Sequence, residues 1–392
     1  MLRLFQQHRT LYNQRISPMK KELQLESIST WLPAFSAGKP TAKKPVVISG
    51  PCSAETESQM VTTAKQLAAT GKVHVLRAGI WKPRTRPGQY EGAGEEGLKW
   101  LALAKKETGL PITTEVANAS HVEACLKAGV DILWIGARTT VNPFSVQEIA
   151  DSLKGVDIPV MVKNPVNPDL ELWIGALERL NKAGITKIAA IHRGFSSFEK
   201  GPFRNAPMWD IAIELKTRIP ELDMICDPSH IAGNRELLPF IAQKALDLDM
   251  AGVMIESHIN PDAAWSDAKQ QITPAVLSKL IDSLVVRTNS TDNKSFKDTL
   301  SVLREQIDQL DDEIMQKFSS RMKISEKIGE YKKENNVTIL QVNRWEEIIA
   351  TRVAIGLAMG LSEEFMKDML KLVHHESIQV QTKVMNKIGE RV

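Results

Sequence analysis

After Lys44 the chain repeats one pattern eight times, a short apolar run followed by a longer amphipathic stretch. The runs are Val46–Ser49, Val73–Leu76, Ile112–Glu115, Ile132–Ile135, Val160–Lys163, Lys187–Ile191, Met224–Cys226 and Val253–Glu256. Each is too short for a helix, and its apolar character is nearly continuous, as in a strand buried on both faces. Between them, stretches such as Ser58–Thr70, Glu95–Glu107, His121–Ala128 and Leu170–Ala183 carry apolar residues at helical spacing. Strands alternating with helices predict parallel strands, because each crossover needs a helix. Eight such units in about 240 residues match a closed TIM (β/α)8 barrel in number and length. An open doubly wound sheet is the competing arrangement, but no Gly-rich dinucleotide loop favours it.

The period then changes. Thr288–Ser295, TNSTDNKS, reads as a polar linker. Beyond it Leu300, Leu303, Ile307, Leu310, Ile314, Ile324, Ile328 and Tyr331 form a helical seam, with no Gly or Pro between Phe296 and Ile328. About 35 helical residues reach roughly 50 Å, more than a small domain spans, so this helix is expected to pack along a partner subunit. Two more helices are predicted, Arg344–Met359 and Ser362–Ile388, separated at Gly360. The expected organisation is an extension over 1–45, a barrel over 46–287, a linker over 288–295 and an all-α domain over 296–392.

Length and composition agree with two domains. The chain has 392 residues, too many for one ordinary core, with 43% hydrophobic and 25% charged residues. A net charge of +3 makes no case for nucleic acid or a membrane surface, so any basic cluster belongs to a local site. No apolar run approaches the roughly 18 residues that span a bilayer. The first 20 residues hold Arg3, Arg9, Arg15 and Lys20 without an acid, a faint transit-peptide pattern that lacks an apolar signal core. Met1–Pro18 is read as a loose extension, with Met19 an alternative start. Cys52, Cys125 and Cys226 make no disulfide framework, which points to a reducing cytoplasm.

In a barrel the chemistry sits where strands end. The eight ends offer Cys52, Arg77, Glu115, Arg138, Lys163, Arg193, His230 and Glu256, each a cysteine or a residue that can carry charge. Converging on one face, they make a polar pocket rich in cations. Arg77, Lys82 and Arg84 crowd the end of the second run and are either solvated or turned toward a polyanion. Cys52, His230, Glu256 and Asp267 offer donors for a divalent metal. Taken singly, Cys52 is equally a small buried residue, and Asp267 a helix cap.

The motifs carry a family resemblance. GPCSAE at Gly50–Glu55, RAGIWKPRT at Arg77–Thr85, GART at Gly136–Thr139, KNP at Lys163–Pro165, HRGF at His192–Phe195, DPSH at Asp227–His230 and the Glu256–Asp267 run resemble 3-deoxy-D-arabino-heptulosonate 7-phosphate synthase of the type I beta branch. The KPRT segment resembles these enzymes rather than the sister group that makes the octulosonate 8-phosphate. The resemblance implies condensation of phosphoenolpyruvate with erythrose 4-phosphate. It implies that Arg138 and Arg193 hold the phosphoenolpyruvate phosphate, with Lys163 bridging to the same ligand. Arg77 and Lys82 would take its carboxylate, and Arg84 and Thr85 the erythrose phosphate. Cys52, His230, Glu256 and Asp267 match the metal ligands, for manganese or another transition metal such as iron, cobalt or zinc. Glu115 would position the water that adds at carbon two, unless it only pairs with a neighbouring cation. Lys82, Lys163 and Glu115 are thus the expected catalytic groups. The family's larger members carry an N-terminal regulatory domain, for which 1–45 is too short.

In the second domain Lys317 and Arg321 interrupt the apolar seam, and a charge there needs a partner. Arg321 and Lys332 lie about 20° apart on one helix face, while Arg304 points about 100° away. Plain solvated charge on a coiled coil is the competing reading. LREQIDQLDDEI at Leu303–Ile314, Arg321, GEYK at Gly329–Lys332, Asn343–Arg344 and ESIQVQ at Glu376–Gln381 resemble the all-helical chorismate mutases. This implies that Arg304, Arg321, Lys332, Arg344, Ser377 and Gln381 bind chorismate on its way to prephenate. Lys332 and Gln381 would stabilise the breaking ether oxygen. It also implies a homodimer through the helical domain, with Arg304 contributed by the partner chain. Gln341 and Trp345 stand where the family has acids. The expectation is a bifunctional enzyme, in which prephenate or chorismate bound to the bundle feeds back on the barrel. The alternative is a single-activity synthase whose degenerate mutase domain is only a sensor or dimerisation module.

Overall fold

The computed structural model describes residues 23–32, 45–82, 88, 90–198, 201–287 and 290–386. The expected loose stretch Met1–Pro18, with Met19, lies outside them, as do residues 288–289 of the expected linker. Contacts divide the chain into two compact units, 1–289 and 290–392.

In the first unit eight parallel strands close in sequence order: β1 Val46–Gly50, β2 Val75–Arg77, β3 Ile112–Val116, β4 Ile132–Ile135, β5 Val160–Lys163, β6 Ile188–His192, β7 Asp223–Cys226 and β8 Gly252–Glu256. β8 pairs with β1 from Val46↔Gly252 to Gly50↔Glu256, which seals the ring and sets the end of β1 beside Glu256. All but two strand residues are buried, which is why the sequence showed continuous apolar runs and no alternation. One set of side chains, including Leu76, Leu133, Ile135, Val160, Val253 and Ile255, packs outward under the helices. The other set, including Val46, Ile48, Trp134, Met161, Ile191, Ile225 and Met254, fills the barrel interior.

Two residues of that interior come from the N-terminal extension. Ile28 opens a short helix, Ile28–Trp31, Leu32 caps its end, and both join the inner cluster. Asp223, the first residue of β7, accepts from Ile28 N at 2.6 Å and Ser27 Oγ at 2.9 Å. Residues 23–32 therefore plug the mouth opposite the strand ends.

The second unit holds three helices, Lys294–Glu334, Val342–Ala358 and Glu363–Asn386. The first has 41 residues, roughly 60 Å of helix. Gly329 lets it approach the third helix, since a Cβ there would press to 3.1 Å from Gln381 Cα. Few residues are buried in this unit, chiefly Ser325, Val353, Met366, Ser377, Gln381 and Val384. The long helix instead exposes Leu303, Ile307, Leu310 and Ile314, the last three at 56%, 58% and 46%. No helix among the described residues is long and apolar enough to cross a membrane.

Candidate active sites

The barrel site grows from β1 and β8. A Cβ at Gly50 would overlap the Arg77 carbonyl, so glycine permits β1 and β2 to converge there. Cys52 follows in the next turn, its amide donating to Gln271 Oε1 at 3.0 Å. Its sulfur and the carboxylates of Glu256 and Asp267 all lie within 4.8 Å of one another. Arg77 Nη1 holds Glu256 Oε1 at 3.0 Å, and Gln270 Nε2 holds Oε2 at 2.7 Å. Arg204 Nη1 pairs with Asp267 Oδ1 at 3.0 Å. His230 approaches from the helix Pro228–Ala232 behind β7. Its Nδ1 faces Asp227 Oδ2 at 2.8 Å, which leaves Nε2 directed at the cluster, 3.8 Å from Glu256 Oε1. An imidazole oriented by a carboxylate is the usual arrangement of a metal-binding histidine. Burial, then Glu256, pushes the Cys52 thiol up to about 11. One sulfur and two carboxylates cluster here, with the His230 imidazole 3.8 Å from Glu256 rather than within the cluster itself, and this donor chemistry fits a divalent transition ion.

Beside the cluster sit cations that a protein interior would not accept without purpose. Arg77, Lys163 and Arg193 are 1%, 4% and 8% exposed. Lys163 Nζ pairs with Asp227 Oδ2 at 2.9 Å. Burial alone would raise the Asp227 carboxyl, but His230 and Lys163 hold it well below the carboxylate range. Among the described residues Arg193 donates only to neutral oxygens, Asn205 Oδ1 at 2.8 Å and Gly194 O at 3.3 Å. Burial draws its pKa down to about 10, with Arg204 and Arg138 adding repulsion. Cations that destabilise one another in a polar pocket define a place for an anion.

Trp134 forms the floor. Arg77 lies over its ring at 4.9 Å and Lys163 at 5.6 Å. Its Nε1 donates to Glu115 Oε2 at 2.9 Å, and Gly136 leaves the room this carboxylate needs. Glu115 thus pairs with an indole. Lys82 Nζ donates to Cys52 O and stands 3.3 Å from Cys52 Sγ, in space kept open by Gly79. Arg138 sits in the short helix Ala137–Thr140 after β4. Arg84 and Thr85 lie outside the described residues. Asp227 was read in the sequence only as the head of the DPSH motif, and Arg204 and Gln270 not at all. Only Asp227 had a signal, as an acid before Pro228 at a helix start, where its Oδ1 accepts from His230 N at 3.1 Å.

The helical unit has its own pocket of about 590 Å³. Lys317, Arg321, Lys332, Arg344 and His374 line it, and among the described residues no carboxylate does. Arg321 Nη1 donates to Ser377 Oγ, which donates onward to Val373 O at 2.8 Å. Lys332 Nζ is turned to Ile339 O at 2.6 Å. Gln381 is buried with Oε1 unpartnered among the described residues, an acceptor that is costly to leave dry. Gln341 and Trp345 also line the pocket, and Trp345 stacks on His374. Arg304 does not line it. It precedes Arg321 by 17 positions, roughly 25 Å along the same helix.

A family model described as the DAHP synthetase I family matches residues 34–291, and one described as chorismate mutase type II matches 303–382. A Thermotoga maritima protein named phospho-2-dehydro-3-deoxyheptonate aldolase is 33% identical over 251 residues, covering 62% of this chain and 72% of that protein. A Polaromonas naphthalenivorans protein named 2-dehydro-3-deoxyphosphooctonate aldolase is 27% identical, covering 61% and 88%. The crystal structure of the Thermotoga maritima heptonate aldolase, a DAHP synthase, aligns with a TM-score of 0.56 at 30% identity, over 61% of this chain and 68% of that one.

Proposed function

The chain belongs to the DAHP synthetase I family and carries a chorismate mutase type II domain behind it, and from that premise we infer how its two sites work. The first activity joins phosphoenolpyruvate to erythrose 4-phosphate, giving 3-deoxy-D-arabino-heptulosonate 7-phosphate and phosphate. The second rearranges chorismate to prephenate. One observation carries the barrel reading: three nearly buried cations stand beside one metal-donor cluster at the strand ends.

Arg138 and Arg193 hold the phosphoenolpyruvate phosphate, and the neutral partners of Arg193 leave its charge available. Arg77 and Lys82 hold the carboxylate, and Arg84 with Thr85 the erythrose phosphate. Cys52, His230, Glu256 and Asp267 would hold a divalent transition metal (manganese, iron, cobalt or zinc), which when bound supplies Lewis acidity toward the aldehyde oxygen. Carbon three of phosphoenolpyruvate bonds to the aldehyde carbon, water adds at carbon two, and phosphate leaves with C–O cleavage. Lys163, paired with Asp227, carries the proton for the new hydroxyl. Glu115, anchored by Trp134, orients the water. The test is loss of phosphoenolpyruvate that requires erythrose 4-phosphate, stops on chelation and returns with a divalent metal. Loss without the sugar, or none under any metal, overturns the reading.

In the helical unit Arg321 and Arg344 hold the two carboxylates of chorismate, and Lys332 and Gln381 meet the ether oxygen as charge develops on it. The pocket's cations, with no acid lining it among the described residues, support this. Arg304 completes the site from a second copy, a homodimer supported by the exposed stripe at Leu303, Ile307, Leu310 and Ile314. Prephenate or chorismate bound there feeds back on the synthase, and the enzyme works in the cytoplasm.

A further inference from the structure

The mutase pocket contains one group that changes charge near neutral pH. His374 projects from the third helix, and its ring lies flat on Trp345, with centroids 4.0 Å apart and planes 18° from parallel. Trp345 belongs to the second helix, so the stack fixes the imidazole's plane between two elements. Neither ring nitrogen has a hydrogen-bond partner among the described residues.

Among the described residues, the charged groups that line the pocket with it are all cations. The long helix presents Lys317, Arg321 and Lys332 to the pocket, and the second helix presents Arg344, whose nearest acid is Glu347 at 2.6 Å. On its own helix, Lys371 pairs with Asp368 at 3.0 Å and His375 meets Gln379 at 2.8 Å. Glu376 is two positions on, about 200° around the helix. Burial, then Arg321, moves the His374 pKa below the ordinary histidine value, so these surroundings disfavour the imidazolium. A ligand with two carboxylates reverses the sign of the local field, and the imidazolium then becomes the favoured form.

We propose that His374 is a further ligand-binding residue of this pocket, which takes up a proton when a dicarboxylate binds and donates to one of its carboxylates, with Trp345 as the platform that aims it. This rests on the mutase reading above. It makes dicarboxylate affinity depend on pH through the one imidazole that faces the ligand.

Calorimetry of prephenate binding to the full chain, in two buffers of different ionisation enthalpy, reads the proton directly. At pH 7.5 the wild type should take up about half to one proton per site, and its Kd should rise about tenfold from pH 6.5 to 8.5. His374→Gln and His374→Phe, the latter keeping a ring on Trp345, should bind more weakly, with no uptake and a flat profile. Uptake that persists in either variant, or a wild type with none, overturns the proposal. A wild type that does not bind prephenate overturns the mutase reading and this proposal with it. Binding without His374-dependent uptake overturns this proposal alone.

Discussion

Asp227→Asn is the substitution that most directly probes the barrel site. Asp227 is fully buried and faces Lys163 Nζ at 2.9 Å and His230 Nδ1 at 2.8 Å. Asparagine keeps the size and the cap on the helix Pro228–Ala232, so packing and capping should survive. The charge does not survive, and Lys163, at 4% exposure, is left buried without its counter-ion. Breaking a buried pair from one side costs about 3 to 5 kcal/mol, whereas replacing both partners is often nearly neutral. Lys163→Met should cost a similar amount, and the double variant much less than the sum, with a coupling of about 2 kcal/mol or more. Urea unfolding followed by tryptophan fluorescence measures this, because seven of the eight tryptophans precede residue 290 and report the barrel. Additive single costs, or a cost below about 1 kcal/mol for Asp227→Asn, would refute the reasoning. The same variant frees His230 Nδ1, so metal affinity should fall about 10- to 100-fold in a chelator competition.

Three further outcomes follow from the same geometry. With its thiol near 11, Cys52 must lose a proton to bind metal, so loading should release about one proton and tighten up to tenfold per unit of rising pH below that value; a pH-independent affinity would remove sulfur from the ligand set. Arg304→Ala and Arg321→Ala chains, each nearly inactive as mutases, should recover about a quarter of wild-type activity when mixed and re-equilibrated, because half the sites of hybrid two-fold dimers are intact; no recovery contradicts a shared site. Removing residues from Phe296 onward should abolish inhibition of the synthase by prephenate, and inhibition that persists at the same concentration places the effector elsewhere.

The barrel was legible because burial on both strand faces writes each strand as an apolar run, and the strand ends then name Arg77, Glu115, Lys163 and Glu256 without further help. The observed strands start or stop within about two residues of those runs; β2, for instance, begins at Val75 because its first ladder partner is Ile48. The plug formed by Ile28 and Leu32 was not legible. A single helical turn has no periodicity, and its burial depends on a mouth assembled from strands far along the chain. Arg204 and Gln270 were hidden likewise, since one lies in a loop and the other in a single 3-10 turn, Ala268–Gln270, and only the fold brings them to Asp267 and Glu256. In the helical unit the seam and its cations were readable, but His374 sits beside a second histidine on a surface helix. Only the stack on Trp345 distinguishes it.

The barrel condenses phosphoenolpyruvate with a four-carbon sugar phosphate. The most direct measurement is phosphoenolpyruvate consumption by the metal-loaded chain, with erythrose 4-phosphate and with a five-carbon sugar phosphate side by side. Loss should be fast with the first, with one inorganic phosphate released per phosphoenolpyruvate, and slight with the second. Preference for the five-carbon sugar, or consumption indifferent to either, would contradict it.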